Sequence, residues 1–151
     1  MNRTWGYNIT DSDYKTPRQI IHLLVGAAGR NANLLLNIGP EPNGQLPQEA
    51  VSRLKAIGEW MSQYGETIYG TRGGEVEPHS WGVTTRKGNR LFVHVLDLQD
   101  RGLFLPLNYK VKRACEFLSR KPVKMTRVNG GITLQFDHIP TDIDYVVELE
   151  F

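Results

Sequence analysis

At 151 residues the chain suits one domain, or a small domain with part of another attached. Its content of 40% apolar and 23% charged residues is that of a globular protein, and a net charge of +2 without a concentrated basic face argues against nucleic acid as a partner. A lone cysteine, Cys115, excludes an internal disulfide framework and a thiolate metal cluster; no apolar run approaches the ~18 residues of a membrane span, and no signal-peptide pattern opens the chain.

Residues 1–15 set Trp5, Gly6, Tyr7 and Tyr14 among Asn, Thr, Ser and Asp, the composition of a loop and of a carbohydrate or ligand contact. Asp11 and Asp13 read there as turn-forming side chains. Thr16-Pro17-Arg18-Gln19 predicts a helix start, with Thr as N-cap, Pro at the first helical position and Gln three residues after the cap. Ile20, Ile21, Leu24, Val25 and Ala28 continue it as an apolar stripe, His22 falls toward the polar side as a surface histidine, and Gly29 ends the helix. Asn33-Leu34-Leu35-Leu36-Asn37-Ile38-Gly39-Pro40 then reads as a short strand, 33–38, buried on both faces, as in parallel sheets covered by helices. Ligands in such folds sit beyond the carboxyl ends of strands, which makes Asn37 a polar group at a potential site and puts Glu41 near its rim. After the turn-rich stretch 39–45, Pro47 opens a second helix, with Val51, Leu54, Ile57, Met61 and Tyr64 on one face and Gly65 as its cap.

Beyond Gly70 the apolar period shortens. Val83–Thr85, Leu91–Leu98, Leu103–Leu107, Arg113–Leu118, Val123–Val128, Ile132–Phe136 and Tyr145–Phe151 read as strands. Lys87-Gly88-Asn89 and Asn129-Gly130-Gly131 mark hairpin turns. Short strands with such turns predict an antiparallel sandwich, with Leu91, Val93 and Val95 on one face of their strand and a domain boundary near 71–78. His94 reads as a half-buried, hydrogen-bonded strand residue, His79 and His138 as turn residues, Cys115 as a buried structural thiol, and the basic stretch 110–127 as a solvated face. No histidine pair has zinc-ligand spacing, and no phosphate loop or nucleophile elbow is present.

Five motifs carry a family resemblance: Trp5-Gly6-Tyr7; Asn33 to Pro40; Gly44-Gln45-Leu46-Pro47; Ile57-Gly58-Glu59-Trp60-Met61; and Gly65-Glu66-Thr67-Ile68-Tyr69-Gly70-Thr71. In this order and spacing they resemble the α-L-fucosidases of glycoside hydrolase family 29, over roughly residues 4–71. The resemblance implies an α+β chain: residues 1–71 as the terminal strand and helices of a (β/α)8-like catalytic barrel, and residues 72–151 as the antiparallel β-sandwich that follows it. It implies a retaining enzyme that removes terminal α-linked L-fucose with an Asp nucleophile and a Glu acid/base about 5–5.5 Å apart. By that alignment both carboxylates lie upstream of Met1. The expectation is therefore no catalytic residue, metal or cofactor in this chain, and no activity on its own.

The same resemblance assigns Trp5 to the wall of the sugar pocket, near the fucose methyl group, where an aromatic face offers apolar area to sugar C–H surface; the alternative for Trp5 is anchorage of its loop by burial. Tyr7 and Asn37 complete the candidate substrate-binding set, with loop packing as the alternative for Tyr7 and support of a neighbouring loop for Asn37. The implied partners are a fucosylated oligosaccharide or glycoconjugate and the missing barrel portion of the same enzyme; the family suggests a periplasmic, secreted or lysosomal setting. A non-catalytic carbohydrate-binding or structural β-sandwich module is the rival reading. One departure stands out: the family's Gly-Gly-Asn before the Leu run is Asn31-Ala32-Asn33 here, and Asn31 is the residue able to take a left-handed turn.

Overall fold

In the computed structural model, which describes residues 1–151, two helices precede eight antiparallel strands. Helix α1 (Pro17–Gly29) opens with a complete capping box. The Thr16 hydroxyl accepts from the Gln19 amide at 3.2 Å, and the Gln19 side-chain oxygen accepts from the Thr16 amide at 2.8 Å. These reciprocal bonds satisfy donors that a first helical turn leaves orphaned. Just past the helix, Asn31 adopts φ 57°, and its Oδ1 accepts from the Gly73 amide at 2.8 Å. The departure from the family's Gly-Gly is thus absorbed by an Asn in the left-handed region.

Helix α2 (Gln48–Tyr64) runs into a short 3-10 turn, Gly65–Thr67. Gly65 stays right-handed at φ −54°, so the helix tightens there instead of ending on a left-handed glycine. Its buried line also differs from the expected one. Ala50 and Trp60 are buried, Ile57, Met61 and Tyr64 are partly buried, and Leu54 is exposed. The indole of Trp60 fills the space against Ile21, Val25 and Val83, and it stacks on Tyr64 at 5.3 Å between ring centroids. Helix α1 meets the sheet at Gly29, where a β-carbon would lie 2.5 Å from that of Val83. Only a residue without a side chain permits that approach.

The expected strand 33–38 is not a strand: these residues join no ladder. A parallel strand needs neighbours running the same way, and every strand of this chain pairs antiparallel, within the two sheets. Leu36 and Ile38 pack on Met1, Ile20 and Ala50, whereas Leu35 is 84% exposed.

The larger sheet orders β1 (Arg72–Gly73), β2 (Gly82–Lys87), β3 (Arg90–Val95), β8 (Tyr145–Glu150) and β5 (Arg113–Glu116). The smaller orders β4 (Gly102–Leu105), β7 (Gly131–Gln135) and β6 (Lys124–Val128). Both foreseen hairpin turns use a left-handed glycine, Gly88 at φ 61° and Gly130 at φ 81°. The sheets face each other across one apolar core. Leu91, Val93, Val95, Val147 and Leu149 come from the larger sheet, and Leu103, Leu105, Ile132 and Leu134 from the smaller. Leu91, Val93 and Val95 share a face as their alternation required.

The opposite face of the larger sheet is buried too, against the helical layer, and it carries polar groups. Thr85, His94, Asp144 and Glu148 are all at most 1% exposed. The Thr67 carbonyl can only accept, so the Thr85 hydroxyl donates to it at 2.7 Å and takes the Nε2 proton of His94 at 3.1 Å. His94 Nδ1 lies 2.8 Å from Asp144 Oδ2. His94 is therefore more deeply buried than a half-buried strand position. His22 is likewise not a free surface residue, since its Nε2 donates to the Ile143 carbonyl at 2.6 Å. Glu148 is held by both terminal nitrogens of Arg120, at 2.6 and 3.2 Å, and Arg120 itself takes φ 59° to reach it.

Two outcomes follow from this face. His94→Ala leaves Asp144 buried without its partner, and equilibrium urea denaturation should show a loss of about 3–5 kcal/mol; a loss within surface-substitution range would contradict the clamp. Burial, with the nearby charges of Asp144 and Asp142, raises the Tyr64 hydroxyl to about 12, and burial with Glu116 and Asp142 does the same for Tyr145. In the unfolded chain a tyrosine ionises near its ordinary value of about 10. The neutral phenols thus contribute stability fully below pH ~10, and it is lost as pH rises from ~10 toward ~12. Ultraviolet titration should resolve two tyrosines ionising well after the others.

Candidate functional site

The residues singled out from sequence converge on one corner, where the N-terminal loop lies across residues 37–39. Asn37 Nδ2 donates to the Trp5 carbonyl at 2.6 Å. The Asn37 carbonyl accepts from the Met1 ammonium at 2.5 Å. Gly39 is buried directly beneath the loop: a β-carbon there would lie 2.4 Å from Gly6 C and Tyr7 N. Trp5, Gly6 and Tyr7 are therefore seated by backbone contact on the Asn-Ile-Gly turn.

The Trp5 ring is 80% exposed, so burial of the indole is not what holds the loop. Tyr7 is also exposed. The second anchor is Asp11, whose Oδ2 accepts from the Arg3 and Thr4 amides, each at 3.1 Å, while Oδ1 accepts from the Asp13 amide at 3.2 Å. Desolvation pushes the Asp11 carboxyl up, but the hydrogen bonds from Asp13, Thr4 and Arg3 outweigh it and hold the group below the usual carboxylate range. Its oxygens are thus engaged in shaping the loop. Between loop and helix opens a cavity of about 210 Å³, bordered by Met1, Arg3, Trp5, Leu23, Leu35 and Asn37.

The other carboxylates near this end serve local structure. Glu41 accepts from Asn43 Nδ2 at 3.4 Å across its own turn, Glu49 sits in the first turn of α2, and Glu66 pairs with Arg90. The Arg90 hydrogen bond, against a smaller desolvation, holds the Glu66 carboxyl low. No group of three or more His, Cys, Asp or Glu side chains is arranged to hold a metal ion. What the corner offers is an exposed indole on a pinned loop, an apolar cavity beside it, and polar backbone at the rim, which suits contact with a sugar ring.

Sequence reasoning singled out Trp5, Tyr7 and Asn37, gave Asp11 its turn-forming role without its reach to Arg3 and Thr4, and missed Gly39. The spacing Asp11-Ser12-Asp13 signals a side-chain-capped turn, but its donors, Arg3 and Thr4, lie a loop-width away. Gly39 before Pro40 signals a turn and says nothing of the backbone that presses on it.

Comparison with known proteins places this corner in a wider setting. Residues 1–66 match the family model described as α-L-fucosidase. The tissue α-L-fucosidase of Macaca fascicularis is 33% identical over 139 residues, covering 89% of this chain and 28% of that protein. An α-L-fucosidase of Branchiostoma floridae is 28% identical over 142 residues, 88% of this chain and 32% of that one. Among solved structures, the α-L-fucosidase isoenzyme 1 of Paenibacillus thiaminolyticus superposes with a TM-score of 0.88 at 34% identity, over 99% of this chain and 38% of that chain. A GH29 α-L-fucosidase from Bacteroides thetaiotaomicron, a trapped covalent intermediate with 2-fluoro-fucosyl fluoride, superposes with a TM-score of 0.86 at 25% identity. The chain thus spans about a third of the length of these relatives.

The pinning of the loop has a direct test. Gly39→Ala places a methyl group inside the Gly6–Tyr7 backbone and should lift the loop. Amide hydrogen exchange of residues 4–8 is expected to accelerate on the order of tenfold while residues 91–95 keep their protection. Unchanged exchange at 4–8 would show that Gly39 does not seat the loop.

Proposed function

Because the chain belongs to the α-L-fucosidase family, we propose that it is the C-terminal portion of a retaining α-L-fucosidase, hydrolysing terminal α-linked L-fucose from fucosylated oligosaccharides or glycoconjugates. In this reading residues 1–71 complete a catalytic barrel whose earlier part supplies both carboxylates, and residues 72–151 are the β-sandwich behind it. The observation that carries the reading is the match of 99% of this chain to only 38% of a fucosidase chain, with the fold kept throughout. A retaining route is supported by the covalent intermediate trapped in the Bacteroides relative, since an inverting enzyme forms no glycosyl-enzyme.

The physical features of the corner fit this role. Residues 33–38 carry apolar side chains and backbone that joins no sheet, and Leu23 and Leu35 stand exposed there. Preceding barrel elements would pair with that backbone and cover those side chains. The partner is then the remaining barrel of the same enzyme. Trp5 would present its ring to the apolar side of fucose, Tyr7 would flank it, and Asn37 would fix the Trp5 carbonyl and hence the ring's direction.

Hydrolysis of an aryl α-L-fucoside tests the reading. The chain alone should not exceed the buffer rate, because neither nucleophilic attack nor leaving-group protonation has a residue to perform it. A chimera that joins the preceding portion of the Paenibacillus enzyme to this chain should be active. In that chimera Trp5→Ala should lower kcat/KM about tenfold, the worth of one aromatic face on a sugar. Turnover by the purified chain alone, or a folded but inactive chimera, would overturn the proposal.

A further inference from the structure

A second concave site lies on the sandwich and shares no lining residue with the cavity at the Trp5 corner. It is a cleft of about 420 Å³ where the turn after β5, the start of β6 and the connection from β7 to β8 meet. That size falls within the usual range for small-molecule sites, about 300–1,000 Å³.

The chemistry of its lining is mixed, and of its carboxylates only Glu116 is engaged by a side chain, accepting from the Ser119 hydroxyl at 2.5 Å. Glu116, Asp137 and Asp142 supply carboxylates, while Lys121 and Lys124 supply ammonium groups. None of these five forms an ion pair within the chain. Tyr145 lines the cleft, its ring packed edge-on against buried Phe136 with centroids 5.6 Å apart. Its hydroxyl has no hydrogen-bond partner in the protein, yet it is not sealed from solvent. Burial, then the charges of Glu116, Asp142 and Asp137, raise that hydroxyl to about 12, which keeps it a neutral donor at physiological pH.

Donors and acceptors are therefore both present beside an aromatic ring, with three carboxylates against two ammonium groups. A phosphate would meet three carboxylates, and a metal ion would meet two ammonium groups. A neutral polyhydroxylated ligand meets no repulsion: its hydroxyls donate to the carboxylates and accept from lysine and tyrosine, and its C–H face rests on the ring.

We propose that this cleft is an ancillary binding site for a neutral saccharide unit, separate from the fucose corner. On the proposed function it would hold an outer sugar of the glycan; the binding itself does not require that function to be right. The charged groups already sit near the surface, so their desolvation is small, and each hydrogen bond to a charged group remains worth having.

The experiment is a nuclear magnetic resonance titration of the full chain, following backbone amides, with lactose, L-fucose, inorganic phosphate and calcium as separate probes. Lactose is expected to shift amides within 121–124 and 135–145 along a saturable, millimolar curve, with phosphate and calcium leaving them unmoved. Tyr145→Phe keeps the ring packed on Phe136 and removes only the hydroxyl; Asp142→Ala alters an exposed residue. Asp142→Ala should weaken lactose binding about tenfold, near the worth of one hydrogen bond to a charged group, and Tyr145→Phe about fivefold, near that of a neutral one. No lactose response at the cleft, shifts confined to residues 4–8 and 34–39, or a cleft that answers to phosphate or calcium instead would overturn the proposal. Failure of the chimera with lactose binding intact would sink only the fucosidase reading; the reverse pattern would sink only this one.

Discussion

The structure depends on a sheet that has no solvent face. At its centre the larger sheet is covered on one side by the smaller sheet and on the other by the helices, so its buried polar groups draw their partners from within the protein, with Asp144 Oδ1 left unpartnered. The sandwich side meets this almost entirely with apolar side chains, and its one buried hydroxyl, that of Thr84, donates to the Val76 carbonyl at 3.3 Å. The helical side meets it with a relay from the Thr67 carbonyl through Thr85 and His94 to Asp144, and with the Arg120–Glu148 fork. Such buried groups contribute little net free energy while paired and cost several kcal/mol if a partner is lost. Their effect is to fix one relative placement of helices and sandwich. Thr67 and Thr85 lie on opposite sides of that junction, and so do His22 and Ile143.

That fixed junction positions the candidate site. Helix α1 is capped at one end by Thr16 and Gln19 and pressed at the other onto Val83 through Gly29. The segment carrying Asn37 and Gly39 packs through Leu36 and Ile38 on the cluster of Ile20 and Ala50. The Trp5 loop in turn rests on Asn37 and Gly39. An exposed indole is thus tied, contact by contact, to the rigid sheet at the centre of the molecule, and a ring held by its scaffold loses less freedom on binding than a free one.

Local features were legible in the sequence, and non-local ones were not. Thr16-Pro17 with Gln19 specified the start of α1 because a capping box is made by residues three apart. Lys87-Gly88-Asn89 and Asn129-Gly130-Gly131 specified two hairpins because a turn needs only its own residues. The run 33–38 misled, since a strand is defined by its partners and none lies in this chain. His94 showed as a strand residue with hydrogen-bonding needs, but Thr85 and Asp144 come from other elements, and no spacing along the chain announces them. The same division holds at the site. Trp5, Tyr7 and Asn37 stood out as residue types that suit sugars, whereas Asp11 and Gly39, which hold them, act on residues distant in sequence.

The position of β8 has a consequence for how the chain acquires its structure. It lies between β3 and β5, with Arg90 opposite Glu150 on one side and Arg113 opposite Glu150 on the other. The two halves of the larger sheet cannot join until residues 145–150 have left the ribosome. Until then β2 and β3 exist as a hairpin with an open edge, and the backbone of β5 bonds only to residues 120–123 that follow it. Pairings that span so much chain close slowly, because loop entropy is lost before any contact compensates it. The final strand acts as the keystone of assembly, and a nascent chain halted before it would present two unpaired edges to its surroundings.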